Sequence, residues 1–173
     1  MNTYVCSCGY ETFSFDKYLD LPLLIPEEKK NYKLIDLIKY RLKSKIIEWN
    51  QICENCKLPG LNHQKFETFD MISNYIIIYL QRINKFLKTK NESFIEFDES
   101  LNLAEFCENK ICPDVCLFKL LGIIYNEGTL DFGHYYTIIK INELWFKFND
   151  NIVSLVTNIE FKSKDVFAFF FEK

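Results

Sequence analysis

The sequence lacks the features that send a chain across a membrane or onto nucleic acid. Residues 1–14 carry neither a basic stretch nor an apolar run, so we expect no signal peptide. The longest clean apolar run, YIIIYL at 75–80, is far shorter than the ~20 residues that a membrane helix needs. The 21 basic and 24 acidic residues are interspersed, and no basic block indicates nucleic acid. We therefore expect neither a membrane nor a nucleic acid as a partner.

Internal repeats, low-complexity tracts and linkers are also absent, and the chain has only two histidines, His63 and His134. Of the 173 residues, 49% are hydrophobic and 17% are aromatic. This composition is typical of a folded globular protein, and the length suits one domain with a sizeable core.

The spacing of apolar residues predicts one helix followed by antiparallel strands. Residues 32–49, YKLIDLIKYRLKSKIIEW, have near-helical spacing. Residues 12–24 begin with alternation and predict an extended segment ending at Pro22. Further β-rich stretches lie at 65–86 (with a break at Asn74), at 117–126, at 134–149 and at 165–173. A helix near the start with antiparallel strands after it places the chain in the α+β class.

Seven cysteines, an odd number, indicate a reducing, intracellular compartment, cytoplasmic or nuclear. There, clustered cysteines are more often metal ligands or catalytic groups than disulfides. Two tight pairs, separated by the predicted helix, have the spacing of zinc-binding turns: Cys6 with Cys8, and Cys53 with Cys56. The single residue between Cys6 and Cys8 strains a shared tetrahedron. His63 is either a substitute ligand or a plain loop residue.

The three remaining cysteines, Cys107, Cys112 and Cys116, form a looser set. They predict either a second metal site with no fourth ligand nearby, or a small core residue at Cys116 with the other two in a loop.

The stretch 131–151, DFGHYYTIIKINELWFKFNDN, predicts a β-hairpin with a polar end. If Asn142 and Glu143 form the turn, residue 141 pairs with 144, and Asn149 becomes the diagonal neighbour of His134 on the same face. Strand alternation would turn Asp150 to the opposite face. An Asn carbonyl can hold one ring nitrogen of a histidine base and leave the other free. The alternative is an ordinary edge histidine at the start of a strand.

Several segments together resemble the C-terminal part of the ubiquitin-specific protease family. CSCGYETFSFDKYLDLPL is similar to that family's first zinc knuckle and the strand after it, and YKLIDLIKY with CENC is similar to the following helix and second knuckle. NYIIIYLQRINKF resembles the strand ending in Leu-Lys-Arg-Phe, and LWFKFNDNIV and DVFAFFFEK resemble the closing strands. LLGIIYNEGTLDFGHYYTIIKI resembles the His box, with YNEG in place of the usual Asn-His-Ser-Gly.

The resemblance implies an antiparallel-sheet-rich, papain-like cysteine protease palm with zinc-finger-like fingers, truncated at its N-terminus. The fingers would span about 1–70 and the palm about 71–173. It implies that His134 is the catalytic base, Asn149 its orienting residue and Asp150 an auxiliary polar residue. It also implies a structural Zn²⁺ held by the two cysteine pairs, Cys6, Cys8, Cys53 and Cys56, although Val5 stands near a position where a cysteine is expected.

The family's Cys box, a Gly-Asn-Thr-Cys-like segment that opens a helix, has no counterpart in the sequence. None of Cys107, Cys112 and Cys116 follows such a turn, so we expect the chain alone to be inactive. The resemblance implies ubiquitin or a ubiquitinated protein as partner, and a Cys box encoded upstream or in a separate N-terminal half. Two alternatives stay open: a non-catalytic, zinc-stabilised ubiquitin-binding module, and a remnant that binds no ubiquitin and exposes apolar palm surface.

Overall fold

A computed structural model describes residues 1–84, 86–108 and 116–173, with the backbone alone for 48–51 and 60–62. Short and long strands dominate this part of the chain, around one α-helix and one 3₁₀ turn. In chain order the elements are β1 (Asn2–Val5), β2 (Glu11–Ser14), β3 (Leu21–Leu24), β4 (Asn31–Lys33), α1 (Leu34–Leu42), β5 (Lys45–Ile52), β6 (Pro59–Glu67), β7 (Tyr75–Gln81), β8 (Ile83–Asn84), β9 (Thr89–Lys90), β10 (Phe94–Glu96), β11 (Ser100–Asn102), the 3₁₀ turn (Ala104–Phe106), β12 (Leu117–Gly128), β13 (Gly133–Ile141), β14 (Leu144–Asn149), β15 (Ile152–Val156), β16 (Lys162–Ser163) and β17 (Val166–Glu172).

The helix is shorter than its apolar spacing predicts. Leu34, Leu37 and Ile38 face the core at i, i+3 and i+4, which explains why α1 forms. The backbone then becomes extended at Lys43, and the predicted second half of the helix is instead strand β5. The prediction failed there because Ile46, which continues the helical pattern, is 77% exposed and pairs within a sheet.

One sheet has four antiparallel strands in the order β2-β1-β6-β5. The loop between β1 and β2 carries one cysteine pair, and the turn between β5 and β6 carries the other. Both turns therefore lie at the same end of this sheet.

The larger sheet has eight strands, with the main path β15-β14-β13-β12-β17-β7-β3 and β11 paired to β12. The run at 75–80 lies within β7, and the break predicted at Asn74 separates β7 from β6. Strand β3 runs through Pro22 and pairs in parallel with β7 at the sheet edge, where a missing N–H is tolerated. Since β3 belongs to this sheet and β4 to a three-stranded sheet with β10 and β16, the predicted fingers region 1–70 is not confined to the four-stranded sheet.

The core lies on one face of the larger sheet. Buried side chains of the central strands, among them Ile123, Phe169 and Phe171, pack there with α1 and β10. The opposite face of the outer strands is also apolar, and Leu144, Val153 and Leu155 on it are each more than half exposed. These three residues mark the outer apolar face.

No helix in the described part of the chain is long and apolar enough to cross a membrane.

Candidate functional site

His134 and Asn149 meet at the open end of the β13–β14 hairpin. The two residues Asn142 and Glu143 form its turn, and both have positive φ (48° and 62°), as in the two-residue turn that matches strand twist. Ile141 pairs with Leu144, which is the predicted register. His134 Nε2 and Asn149 Oδ1 are 2.5 Å apart. The register of the hairpin therefore brings the two side chains together at its open end.

The contact assigns roles to the two ring nitrogens of His134. The amide oxygen of Asn149 only accepts, so Nε2 carries the proton and donates it. Within the described residues, Nδ1 of His134 has no hydrogen-bond partner. Its lone pair is therefore available to accept a proton from a nucleophile, while Asn149 fixes the ring's tautomer and orientation.

Asp150 lies closer to His134 than strand alternation predicts. Its carboxylate oxygen Oδ2 is 4.0 Å from His134 Nε2. The prediction that Asp150 faces away was wrong because β14 ends at Asn149, and Asp150 has the left-handed backbone conformation (φ 51°) of a turn. The side chain is 77% exposed, so its charge acts on His134 through a largely solvated path.

Glu127 and Tyr136 flank His134, although no local sequence pattern pointed to either side chain. Glu127 is the direct cross-strand partner of His134, and Tyr136 Oη donates a 2.9 Å hydrogen bond to Glu127 Oε1. Burial, then this bond to an acid, raises the pKa of Tyr136 and keeps its proton on the oxygen. Lys147 Nζ lies 3.6 Å from the centroid of the Tyr136 ring. The pairing of β12 with β13 was the signal that could have located Glu127.

Lys90 holds the loop that precedes His134. Its Nζ donates to the backbone oxygens of Asn126 (2.7 Å) and Gly128 (2.8 Å). Burial lowers the pKa of Lys90. Gly128 has φ 99°, and an added Cβ would lie 2.2 Å from the Phe132 carbonyl oxygen. The hydrogen bond from Lys90 to the Gly128 carbonyl joins residues almost 40 positions apart, so local sequence patterns do not reveal it.

The second cluster of chemically active side chains is formed by the two predicted cysteine pairs. Cys6 Sγ lies 3.8 Å from Cys56 Sγ, and Cys8 Sγ lies 3.7 Å from Cys53 Sγ. All four sulfurs are within 4.8 Å of one another. A tetrahedron with Zn–S bonds of about 2.3 Å has sulfurs about 3.8 Å apart. The spacing thus fits a tetracysteine metal site. Cys6, the residue after Val5, supplies the sulfur expected near that position.

Backbone turns shape both halves of this cluster. Gly9 N–H donates to the Cys6 carbonyl at a φ of 83°, and Lys57 N–H donates to the Cys53 carbonyl at a φ of 61°. The backbone of Tyr10 and the side chain of Asn55 donate to Cys8 and lower its pKa to about 6. Cys8 is therefore poised to bind as a thiolate, the form that coordinates metal.

His63, the proposed substitute ligand, lies outside this group. It is buried in β6, neither a loop residue nor a member of the described four-sulfur cluster.

Cys107 and Cys116 form a separate pair, with their sulfurs 3.1 Å apart. Cys116 is buried directly before β12, and Cys107 is half-buried. Cys112 lies outside the described residues, and the predicted alternatives that involve it stay predictions.

Relatives of this chain share a common activity in their names. This chain is 29% identical over 171 residues to ubiquitin carboxyl-terminal hydrolase 8 of Saccharomyces cerevisiae. The alignment covers 91% of this chain and 36% of the relative. It is also 27% identical over 182 residues to ubiquitin carboxyl-terminal hydrolase 2 of Gallus gallus, in an alignment that covers 99% of this chain and 50% of the relative. The chain thus spans between one third and one half of these relatives.

Solved structures agree on the fold. A chain of the SAGA DUB module bound to monoubiquitin matches with a TM-score of 0.84 at 28% identity, over 99% of this chain and 39% of that one. The same module bound to ubiquitin aldehyde also matches with a TM-score of 0.84, over 40% of its chain. The predicted α+β palm with cysteine-bearing fingers is confirmed. The family model described as ubiquitin carboxyl-terminal hydrolase matches residues 6–171, and the chain belongs to that family, the family of the ubiquitin-specific proteases.

Proposed function

We propose that this chain forms the base-bearing portion of a cysteine-type deubiquitinase. His134 is the general base, Asn149 orients it, and Asp150 is an auxiliary residue. The observation that carries the proposal is the 2.5 Å contact between His134 Nε2 and Asn149 Oδ1. In a family whose members are hydrolases acting at ubiquitin's carboxyl terminus, an oriented imidazole with a free Nδ1 has one obvious use, which is to activate a thiol.

The reaction then runs in two steps. Nδ1 of His134 takes the thiol proton, and the sulfur attacks the carbonyl carbon of ubiquitin's C-terminal glycine, so that a C–S bond forms and the C–N bond to the amine breaks. The imidazolium returns its proton to the leaving amine, which leaves an acyl-enzyme. Water, deprotonated by the same Nδ1, releases ubiquitin as the free acid. Asn149 holds the ring throughout without adding charge, and the exposed carboxylate of Asp150 lies beside it as an auxiliary group, 4.0 Å from Nε2.

The thiol in this proposal comes from a Cys-box segment, carried either by the same polypeptide or by a separate N-terminal half. Among the described cysteines, four form the sulfur cluster. The other two, Cys107 and Cys116, precede the first residue of β12, at the end of the strand away from His134. Strand β12 starts at Leu117, ten residues before Glu127, so its start is roughly 33 Å from the residue that faces His134.

We further propose that Cys6, Cys8, Cys53 and Cys56 hold a structural Zn²⁺. The support is the sulfur spacing of 3.7 to 3.8 Å and the two backbone turns, in which the carbonyl oxygens of Cys6 and Cys53 accept from Gly9 N–H and Lys57 N–H. Four thiolates with no open position suit a structural rather than a catalytic metal, and reduced thiols suit an intracellular compartment.

A chimaera tests the catalytic proposal. Residues 1–173 are joined to the preceding Cys-box portion of the yeast relative, and hydrolysis of a fluorogenic ubiquitin C-terminal amide is measured. Because the base is lost, His134→Ala should lower kcat/KM by at least about 10³-fold. Asn149→Ala, which misorients the ring, should lower it by about 10²-fold. The matched control is Asn151→Ala, an exposed neighbour that makes no described contact with His134.

Two results would contradict the proposal. The first is a rate for Asn149→Ala equal to that of Asn151→Ala. The second is an adduct on Cys107 or Cys116 when the chain alone meets an electrophilic ubiquitin probe, since that would place the thiol within this chain.

A second candidate function is a non-catalytic ubiquitin-binding module. It is favoured by the ubiquitin seen in the matched SAGA DUB modules. Calorimetric titration of the chain alone with ubiquitin separates the two functions. Measurable binding together with an inactive chimaera supports the module, whereas the absence of heat at high ubiquitin concentration removes it.

A further inference from the structure

Cys107 and Cys116 form a closely spaced pair of thiols outside the two sites already described. Their sulfurs are 3.1 Å apart, nearer than the 3.7 and 3.8 Å pairs of the metal cluster. A disulfide bond is about 2.05 Å long, so a shift of about 1 Å would bond them. Within the described residues, no third cysteine, histidine or acid joins them to form a metal site.

The backbone around both cysteines is anchored. Cys107 N–H donates to the Ala104 carbonyl (3.3 Å), and the peptide of Phe69 bonds both neighbours of Cys107, at Phe106 and Glu108. The Cys116 carbonyl accepts from Leu103 N–H at 2.9 Å. These bonds hold the backbone on both sides of the pair, and the two sulfurs face each other at 3.1 Å.

We propose that Cys107 and Cys116 form a reversible disulfide when the protein meets a peroxide. Cys107, the more accessible of the two, reacts first. Its sulfur attacks one peroxide oxygen, an S–O bond forms as the O–O bond breaks, and the leaving oxygen departs as water. Cys116 Sγ then attacks the sulfenic sulfur, so that an S–S bond forms, the S–O bond breaks and a second water leaves. Two thiols and one hydrogen peroxide give one disulfide and two waters.

The surroundings slow the oxidation of this pair and leave its disulfide accessible to a reducing thiol. Burial, with the neighbouring Cys116 thiol, raises the pKa of Cys107 to about 12. Little thiolate is then present at neutral pH, so the pair stays reduced until an oxidant accumulates. The half-buried Cys107 sulfur also leaves the disulfide open to attack by a small thiol.

The bridge would lock the junction between the two sheets. Cys107 bonds through its neighbours to the segment between β6 and β7, and Cys116 precedes β12 of the larger sheet. A cross-link between Cys107 and Cys116 closes the short loop between them. It restricts the unfolded chain and should raise the Tm by about 5–10 °C. The inference is independent of the proposed function, because it uses no residue of the His134 site.

Peptide mapping of the zinc-loaded chain tests the proposal. The protein is treated with hydrogen peroxide, alkylated, and digested with one protease that cleaves after Lys110 and one that cleaves before Asp114. These cuts put Cys107, Cys112 and Cys116 on separate peptides. We expect a linked peptide joining Cys107 to Cys116, which dithiothreitol separates. Cys107→Ser and Cys116→Ser should each abolish it, and the control Cys112→Ser should not.

Three results would overturn the proposal. One is a linked peptide that contains Cys112 in place of Cys116. Another is conversion of Cys107 to sulfinic acid with Cys116 still alkylatable. The third is a Tm that does not rise on bridge formation, which would show that the junction is not locked.

Discussion

The loop that leads into His134 should tolerate no side chain at Gly128. This glycine has φ 99°, and a Cβ there would lie 2.2 Å from the Phe132 carbonyl oxygen. Real Cβ contacts essentially never fall under 3.0 Å, so the loop must open by at least the difference, 0.8 Å. The same carbonyl accepts a 3.1 Å hydrogen bond from Thr129 N–H, and opening the loop breaks it.

The expected cost of Gly128→Ala has two parts. A left-handed backbone costs a non-glycine residue about 1–2 kcal/mol, and a lost hydrogen bond costs about 1 kcal/mol more. The free energy of unfolding should therefore fall by about 2–3 kcal/mol. It is measured by urea denaturation of the zinc-loaded protein, followed by circular dichroism.

Gly9→Ala is the matched control. Gly9 also has positive φ (83°), but a Cβ there meets nothing within 4 Å. This variant should lose only the backbone part, about 1–2 kcal/mol. If both variants lose the same free energy, the collision with Phe132 does not matter and the reasoning about this loop is refuted.

Two further predictions concern the four-stranded sheet and its surroundings. Cys53→Ser should lower bound zinc from one atom per chain to none, as measured by elemental mass spectrometry. The same variant should speed amide exchange in β1, β2, β5 and β6 while β12 and β17 stay protected. Cys107→Ser is the control, and zinc retained by Cys53→Ser would contradict the site. Burial alone would raise the pKa of Glu67, but its hydrogen bond to Lys65 (2.9 Å) and the charges of Lys65 and Arg41 outweigh burial and lower it. The folded pKa is depressed, so this stabilisation is present above the unfolded value of about 4.3 and is lost as the pH falls through the folded value. Glu67→Gln should therefore lower stability at pH 7 by about 1–3 kcal/mol and flatten its decline below pH ~4.3, as measured by urea denaturation across pH; an unchanged slope would contradict the pairing.

The parts of the site that depend on short stretches of sequence were predictable. The two-residue turn at Asn142 and Glu143 fixed which face of the hairpin Asn149 shares with His134. The two tight cysteine pairs likewise lie at turns whose backbone is local, so their grouping followed from spacing.

The parts that depend on distant contacts or on where an element ends were not predictable. Residues 45–49 continue a helical pattern, yet pairing with β6 makes them a strand. Asp150 comes near His134 only because β14 stops one residue earlier. Lys90 acts on carbonyls more than 35 residues away, which no periodicity reports.

The hairpin turn gives a last prediction, because it separates register from loop length. A glycine inserted after Glu143 makes a three-residue loop, which closes as a G1 bulge with glycine in the left-handed position. The alternative is a one-residue slip that would turn buried Trp145 outward and drive Phe146 and Phe148 into a filled core. Exposing Trp145 and overpacking the core would cost several kcal/mol, against about 1 kcal/mol for the bulge.

The bulge should therefore absorb the insertion and keep His134 on Asn149. With two histidines in the chain, the imidazole resonances of His134 and His63 can be told apart by comparison with His134→Ala. We expect the Nε2–H signal of His134 to persist in the insertion variant and to vanish in Asn149→Ala. Loss of that signal on insertion, with the protein still folded, would mean that the turn alone sets the register and that packing around Trp145 does not restrain it.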